Sequence, residues 1–209
     1  MDVRFWGPSG WQLFHLITFE KGMLSAKKQL FSLLKDILPC KYCRESAVQF
    51  TQELPMNNNL ALWLYNFHDK VNQKLHNQHL VDPKVPEPVP SPPFEEVVER
   101  YKKMLNTPPT EIPGRDFLYS IAYNYTSEHR VAHEKFWDAL IKVFPYYQYR
   151  KRLIKPDLSS SETYLKDVNR MLGDQSLASI QRTLRKYKAK CKKTCRRKGG
   201  RLFRTRRVL

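Results

Sequence analysis

The sequence predicts an all-α protein, and three observations carry that expectation. Apolar residues recur at i, i+3 and i+4 along most of the chain. Period-2 alternation rich in Val, Ile and Thr is absent, which leaves no candidate for a sheet. The 209 residues are 41% hydrophobic and 12% aromatic, enough to bury a core and too much for a wholly disordered chain. No run approaches the roughly 18 apolar residues a membrane helix needs. The opening MDVRFWGPSG has no basic stretch followed by an apolar one, so no secretory signal is expected.

Leu13, Leu16 and Ile17 form the apolar stripe of a first helix. Leu30, Phe31, Leu33, Leu34, Ile37 and Leu38 repeat the pattern over 26–38, and Pro39 precedes a helix expected over 41–54. Leu60, Trp63, Leu64, Phe67, Val71 and Leu75 stripe a third long helix over 60–75. The text DPKVPEPVPSPP at 82–93 holds six prolines; they fix φ and remove amide donors, so an extended linker is expected there. The expected organisation is therefore a helical bundle over 1–81, the linker over 82–93 and a short fifth helix over 94–105. A second helical domain over 113–173 and a basic tail over 174–209 follow. In that tail Asp174 would cap a helix running from 175 to Gly199-Gly200.

The second half echoes the first. GWQLFHLITF from Gly10 lies over GRDFLYSIAY from Gly114, and FSLLKDILPCKYCR (31–44) lies over WDALIKVFPYYQYR (137–150) with Pro39 and Pro145 in register. After a deletion, DKVNQKL (69–75) lies over KDVNRML (166–172). This reads as a duplicated helical unit. The differences fall on reactive groups: Cys40 and Cys43 become Tyr146 and Tyr149, His15 becomes Tyr119, and Trp11 becomes Arg115. One half keeps chemistry; the other keeps shape.

Four cysteines are too few for a disulfide scaffold. Cys40-Lys41-Tyr42-Cys43 opens a predicted helix, where the positive helix end, Lys41 and Arg44 favour a thiolate. Three chemistries suit the pair on its own: a redox dithiol, a zinc half-site, or idle core thiols. Zinc would want a second Cys/His pair, and the other cysteines, Cys191 and Cys195, lie far off in the tail, so no metal is expected. His15 and His68 flank the pair symmetrically, each 25 residues away and each on an amphipathic helix.

These residues carry a resemblance. The first 105 positions resemble the Erv/ALR family of FAD-linked sulfhydryl oxidases, with its G-x-x-x-W-x-x-x-H helix, its C-x-x-C and its H-N-x-V-N-x-x-L helix in order. Gly7, Trp11 and His15 stand on the first motif; His68, Val71, Asn72 and Lys74 stand on the third. The resemblance implies a four-helix bundle with a short fifth helix that holds FAD by those seven residues, as a homodimer. It also implies that Cys43 lies against the flavin ring while Cys40 exchanges with incoming thiols. Protein dithiols would be oxidised to disulfides, with oxygen as acceptor and hydrogen peroxide as product. Three departures stand out. Asp69 replaces the family's usual Asn, no cysteine lies between Cys43 and Cys191 to form the extra disulfide many members carry, and the emptied second copy is similar only to the arrangement in quiescin sulfhydryl oxidases. Compact oxidases with such appendages imply a large DNA virus as source, hence a host-cytoplasm or virion location.

The net charge of +17 belongs to the tail. Fourteen Lys and Arg and no acid lie between Arg182 and Leu209, leaving about +3 on the rest. Cys191 and Cys195, among these cations, look like the shuttle pair that family members carry on a terminal arm. The cations also suit nucleic acid, an anionic membrane surface or an acidic protein, and a nuclear address. The rival to the oxidase is a non-enzymatic helical protein that binds nucleic acid or acts as a scaffold, its cysteines structural or zinc-bound.

Overall fold

A computed structural model describes residues 1–173 and 175–196, the side chains of 189–196 excepted. Among these residues it is helical with no strand, and no helix is long and apolar enough to cross a membrane. The proposed cap Asp174 and the side chains of Cys191 and Cys195 lie outside the described residues.

Helix α1 (Val3–Phe19) starts at Asp2, whose carboxylate accepts from the Arg4 amide. It ends where the buried Lys27 ammonium donates to the Glu20 carbonyl. The single helix expected over 26–38 is two helices, α2 (Leu24–Ser32) and α3 (Leu34–Ile37), broken at Leu33. Leu30, Phe31, Leu34 and Ile37 keep helical spacing across the break and all bury, so the apolar pattern hides it. Cys40 is the N-cap of α4 (Lys41–Glu53), and the Trp63 indole donates to the Leu54 carbonyl just past its end. Asn59 caps α5 (Leu60–Val81), which outruns the 60–75 stripe and stops at Asp82-Pro83.

The linker is not loose. Its carbonyls serve as acceptors for α5 side chains: Tyr65 Oη donates to Pro92 O at 2.9 Å and His79 Nδ1 to Val85 O at 2.6 Å. It delivers the chain to α6 (Phe94–Asn106), which packs on α1. The rest comprises α7 (Arg115–Tyr123), α8 (Arg130–Val143), α9 (Tyr147–Arg150), α10 (Ser161–Leu172, with a Ser160/Thr163 capping box) and α11 (Leu177–Arg196).

One core runs through both halves. Helix α7 packs on α1 and α8 on α2, joining Leu13, Phe14 and Ile17 to Phe117, Phe136 and Leu140. Phe14 meets Phe117 edge-on at 5.0 Å, and Gly10 admits that ring against the α1 backbone. Helix α11 docks with Ile180 and Leu184 buried and stacks Tyr187 on Phe5 at 4.4 Å.

The two Pro-containing turns have the same local geometry. Cys40 sits at φ −126°, ψ 123° and Tyr146 at φ −116°, ψ 124°. Arg44 Nη1 donates to Leu38 O at 2.7 Å, and Arg150 Nε donates to Phe144 O at 2.9 Å, each reaching six residues back. After Arg150 the matched helix stops, whereas α4 continues to Glu53.

Gly114 caps the start of α7 at φ +80°, and a Cβ built there would land inside the side chain of Leu13. Gly173 has φ +113° but open space around it. Gly114→Ala therefore combines backbone strain with overpacking and should cost about 2–4 kcal/mol, against about 1 kcal/mol for Gly173→Ala. Urea unfolding of the two variants checks the difference.

Candidate active site

Pro39 ends the α3 segment and turns the chain so that Cys40 caps α4 and Cys43 falls in its first turn. The two thiols are unbridged and half-buried. Cys43 donates its S–H to Cys40, which pulls the Cys40 thiol well below its ordinary value against the opposing effect of burial. Being that donor, and being buried, pushes the Cys43 thiol up; the nearby Lys74 ammonium works the other way. Lys74, on α5, donates to Ser46 Oγ on α4, which ties its charge to the first turns of the cysteine helix.

A second cluster lies further back along α5. Trp11 and His15, four residues apart, project from one side of α1, and His68 meets both from α5. The Trp11 and His68 rings stack at 3.8 Å and 13°, while His15 Nε2 lies 3.4 Å from His68 Nδ1. Tyr101 of α6 covers the His15 ring at 4.8 Å and 21°. Burial holds both imidazoles neutral, pulling His15 to about 3 and His68 to about 4. The shared hydrogen bond requires one nitrogen of the facing pair to carry the proton and the other to accept it.

The structure thus joins Trp11, His15 and His68 in one cluster and Cys40, Cys43 and Lys74 in another. The two are linked by α5, on which His68 and Lys74 stand six residues, or about 9 Å, apart along the axis. Val71 lies between them, half-buried against the core. Asn72 turns to the linker instead: its amide donates to Ser91 Oγ at 3.1 Å, and that hydroxyl donates to Asp69 at 3.0 Å. Gly7 is buried one turn before Trp11. Tyr101, Ser91 and Ser46 were not singled out in the sequence. Tyr101 shares the inward stripe of α6 with Val97 and Met104, and Ser46 is one turn beyond Cys43.

The residues present carry the kinds of groups a flavin nucleotide would need. His15 Nδ1 is buried without a partner, which leaves a nitrogen for a group that the described side chains do not supply. Two neutral imidazoles, an indole face, an amide and an ammonium supply the donors and the aromatic surface that heteroaromatic rings and phosphates need. Trp11 and His68 stack directly on each other, so here the pair offers outer faces and not a slot between them. Among the described residues, no group of three or more His, Cys, Asp and Glu side chains is arranged to hold a metal ion.

Residues 8–89 match the model of the Erv1 / Alr family. That span runs from α1 through α5 into the linker; it holds every site residue named above except Gly7, Ser91 and Tyr101. The match supports an oxidoreductase of the thiol-oxidase kind. The chain matches no curated protein and no solved structure.

His133 of α8 is a third buried neutral histidine, held to about 4 by burial, with Nδ1 3.1 Å from the Tyr164 hydroxyl. The unfolded chain protonates all three near pH 6.5 and the folded chain only near pH 3–4. Stability from keeping them neutral is full above pH 6.5 and is lost as the pH falls toward 4, by about 1 kcal/mol per pH unit for each histidine. Urea midpoints should drop steeply between pH 6.5 and 4.5, and His133→Gln should make that slope shallower by about one histidine's share.

Proposed function

We propose that the chain is an FAD-dependent thiol oxidase that forms disulfide bonds in protein substrates. The observation that carries this is the coincidence, inside the matched span, of a polarised Cys-x-x-Cys with a neutral histidine pair containing an unpartnered buried nitrogen. FAD, when bound, supplies the two-electron acceptor that side chains lack and through which oxygen becomes hydrogen peroxide. Trp11, His15, His68, Asn72 and Lys74 would hold it, with Gly7 and Val71 shaping the wall beside them.

The chain's own part is thiol exchange. In the oxidised pair, a substrate thiolate attacks Cys40 Sγ, forming a mixed disulfide and releasing Cys43 as thiolate. A second substrate thiolate then attacks the substrate's own sulfur, which closes the product disulfide and expels Cys40. Two electrons and two protons stay on the pair until passed on, so one dithiol and one O2 give one disulfide and one H2O2. The Lys74 charge favours Cys43 as thiolate when the substrate displaces it; once Cys43 has taken up the proton given up by the second substrate thiol, its S–H bonds Cys40 and stabilises that sulfur as the leaving thiolate. Neutral histidines put no competing positive charge beside the acceptor.

Residues 113–173 fit a degenerate duplicate. The matched turns share backbone angles and the Arg-to-carbonyl bond. Like also packs on like, α1 on α7 and α2 on α8, as two copies of one surface do when they meet about a two-fold axis. At the positions of His15 and Asn72, Tyr119 Oη donates to Asn169 Oδ1 at 2.8 Å, and this buried bond fills the space with protein. A homodimer would have to form through a face other than α1–α2, which the second half already covers.

Cys191 and Cys195 are a candidate relay from substrate to Cys40. Helix α11 stacks Tyr187 on Phe5 near the start of α1, where the Met1 nitrogen donates to the Pro39 carbonyl. Residue 191 follows Tyr187 by about one turn.

Purified protein should show flavin absorbance that His68→Ala abolishes. Cys43→Ser should keep the colour but stop oxygen consumption with dithiothreitol. Colourless wild-type protein overturns the assignment. Cys191→Ser should slow oxidation of a folded dithiol protein several-fold while leaving dithiothreitol oxidation unchanged, and equal rates on both would remove the relay.

A further inference from the structure

Helix α6 covers the His15 ring with Tyr101, yet its own apolar grip is slight. Val97 is its one fully buried side chain, and Tyr101, stacked between His15 and Phe19, is half-buried. Beyond Val97, Tyr101 and the Phe94 ring against Tyr65, polar bonds fasten the helix at its two ends. At the start, Tyr65 Oη donates to Pro92 O at 2.9 Å, and Asn72, Ser91 and Asp69 form a chain of hydrogen bonds.

At the far end the partners come from the second half. Tyr146 Oη donates to Met104 O at 2.8 Å, on the same turn of α6 as Tyr101. That carbonyl, near the C-terminus of the helix, also accepts from the Thr107 amide, so the phenol fills its second lone pair. Three residues on, Tyr149 Oη reaches Pro109 O and, at 3.3 Å, Thr110 O in the connection that follows α6. The two phenols, one turn apart and set edge-on to each other at 6.1 Å, thus bind the end of α6 and the connection that follows it. They stand where the first half has Cys40 and Cys43.

We propose that Tyr146 and Tyr149 are positioning residues that clamp α6, so that the second half fixes the cover over His15 in the first. The tyrosines at the positions of the thiols act on the N-terminal site through hydroxyl bonds, Tyr146 to α6 itself and Tyr149 to the connection that leaves it. The clamp is drawn from contacts alone; its effect on cofactor retention rests on the flavin assignment above.

The test is Tyr146→Phe/Tyr149→Phe, which removes two hydroxyls and keeps both rings. Without added flavin, amide exchange at 94–106 should quicken roughly tenfold or more, the equivalent of two lost hydrogen bonds, while α8 and α10 stay protected. The His15 imidazole, followed by NMR, should titrate at higher pH as its cover loosens. With FAD bound, the cofactor should dissociate several-fold faster. Ser91→Ala, at the other end of α6, should shift the same three readouts in the same direction, and Tyr101→Phe, which keeps the covering ring, should leave exchange in α6 unchanged. Unchanged exchange in α6, or faster exchange spread evenly over the chain, overturns the clamp. Faster exchange in α6 with an unmoved His15 titration overturns the positioning role. Wild-type protein that takes up no FAD defeats the flavin assignment alone, because exchange and titration still decide the clamp.

Discussion

The contact of α1 with α7 is the constraint on which everything else rests. α1 is buried on nearly every side: Leu13 and Phe14 press on α7, while Trp11 and His15 meet α5 and α6. A helix used on both flanks must leave room for backbone approach. Gly10 provides it from α1, and the left-handed Gly114 provides it from α7. His15 is kept dry from two sides, by the α1–α7 core beneath it and by the Tyr101 ring of α6 stacked over it. The neutral histidine pair is therefore a consequence of the core as much as of the site.

The same arrangement separates two electrostatic environments along α5. Around His68 the packing is aromatic, and burial keeps both imidazoles neutral against the pull of the adjacent Asp69 carboxylate, while one nitrogen of His15 goes unpartnered. Toward Lys74 the cysteine helix contributes its positive end, and an ammonium adds to it. A single long helix can serve both because its residues rise only about 1.5 Å each, so a few turns carry it from one setting to the other. The halves are also tied crosswise. Arg150 Nη2 lies 3.2 Å from the Glu20 carboxylate, and the Arg44 charge acts on His133 of α8.

Much of this was legible in the sequence. Helical class follows from apolar spacing, and the short motifs on α1, α4 and α5 named the residues that the fold then gathers into two clusters. The break at Leu33 was not, because the buried positions on its two sides keep one helical rhythm. The end of α5 was missed because 76–81 is polar enough to leave the stripe while still helical. Tyr101, Ser91 and the phenols of Tyr146 and Tyr149 act through partners distant in the chain, and a single sequence offers no spacing rule for such pairs. Asn72 was legible as a polar site residue, but its bond to Ser91 depends on how the linker folds back.

That linker has one more consequence. It is an extended stretch without helical hydrogen bonds, the kind of segment that in other chains can recruit a neighbouring molecule's strand. Six prolines at 82–93 leave few amide hydrogens to offer, and two of its carbonyls, Val85 and Pro92, are already taken by α5. The protein can therefore keep an uncoiled strap on its surface without giving other copies an edge on which to build aggregates.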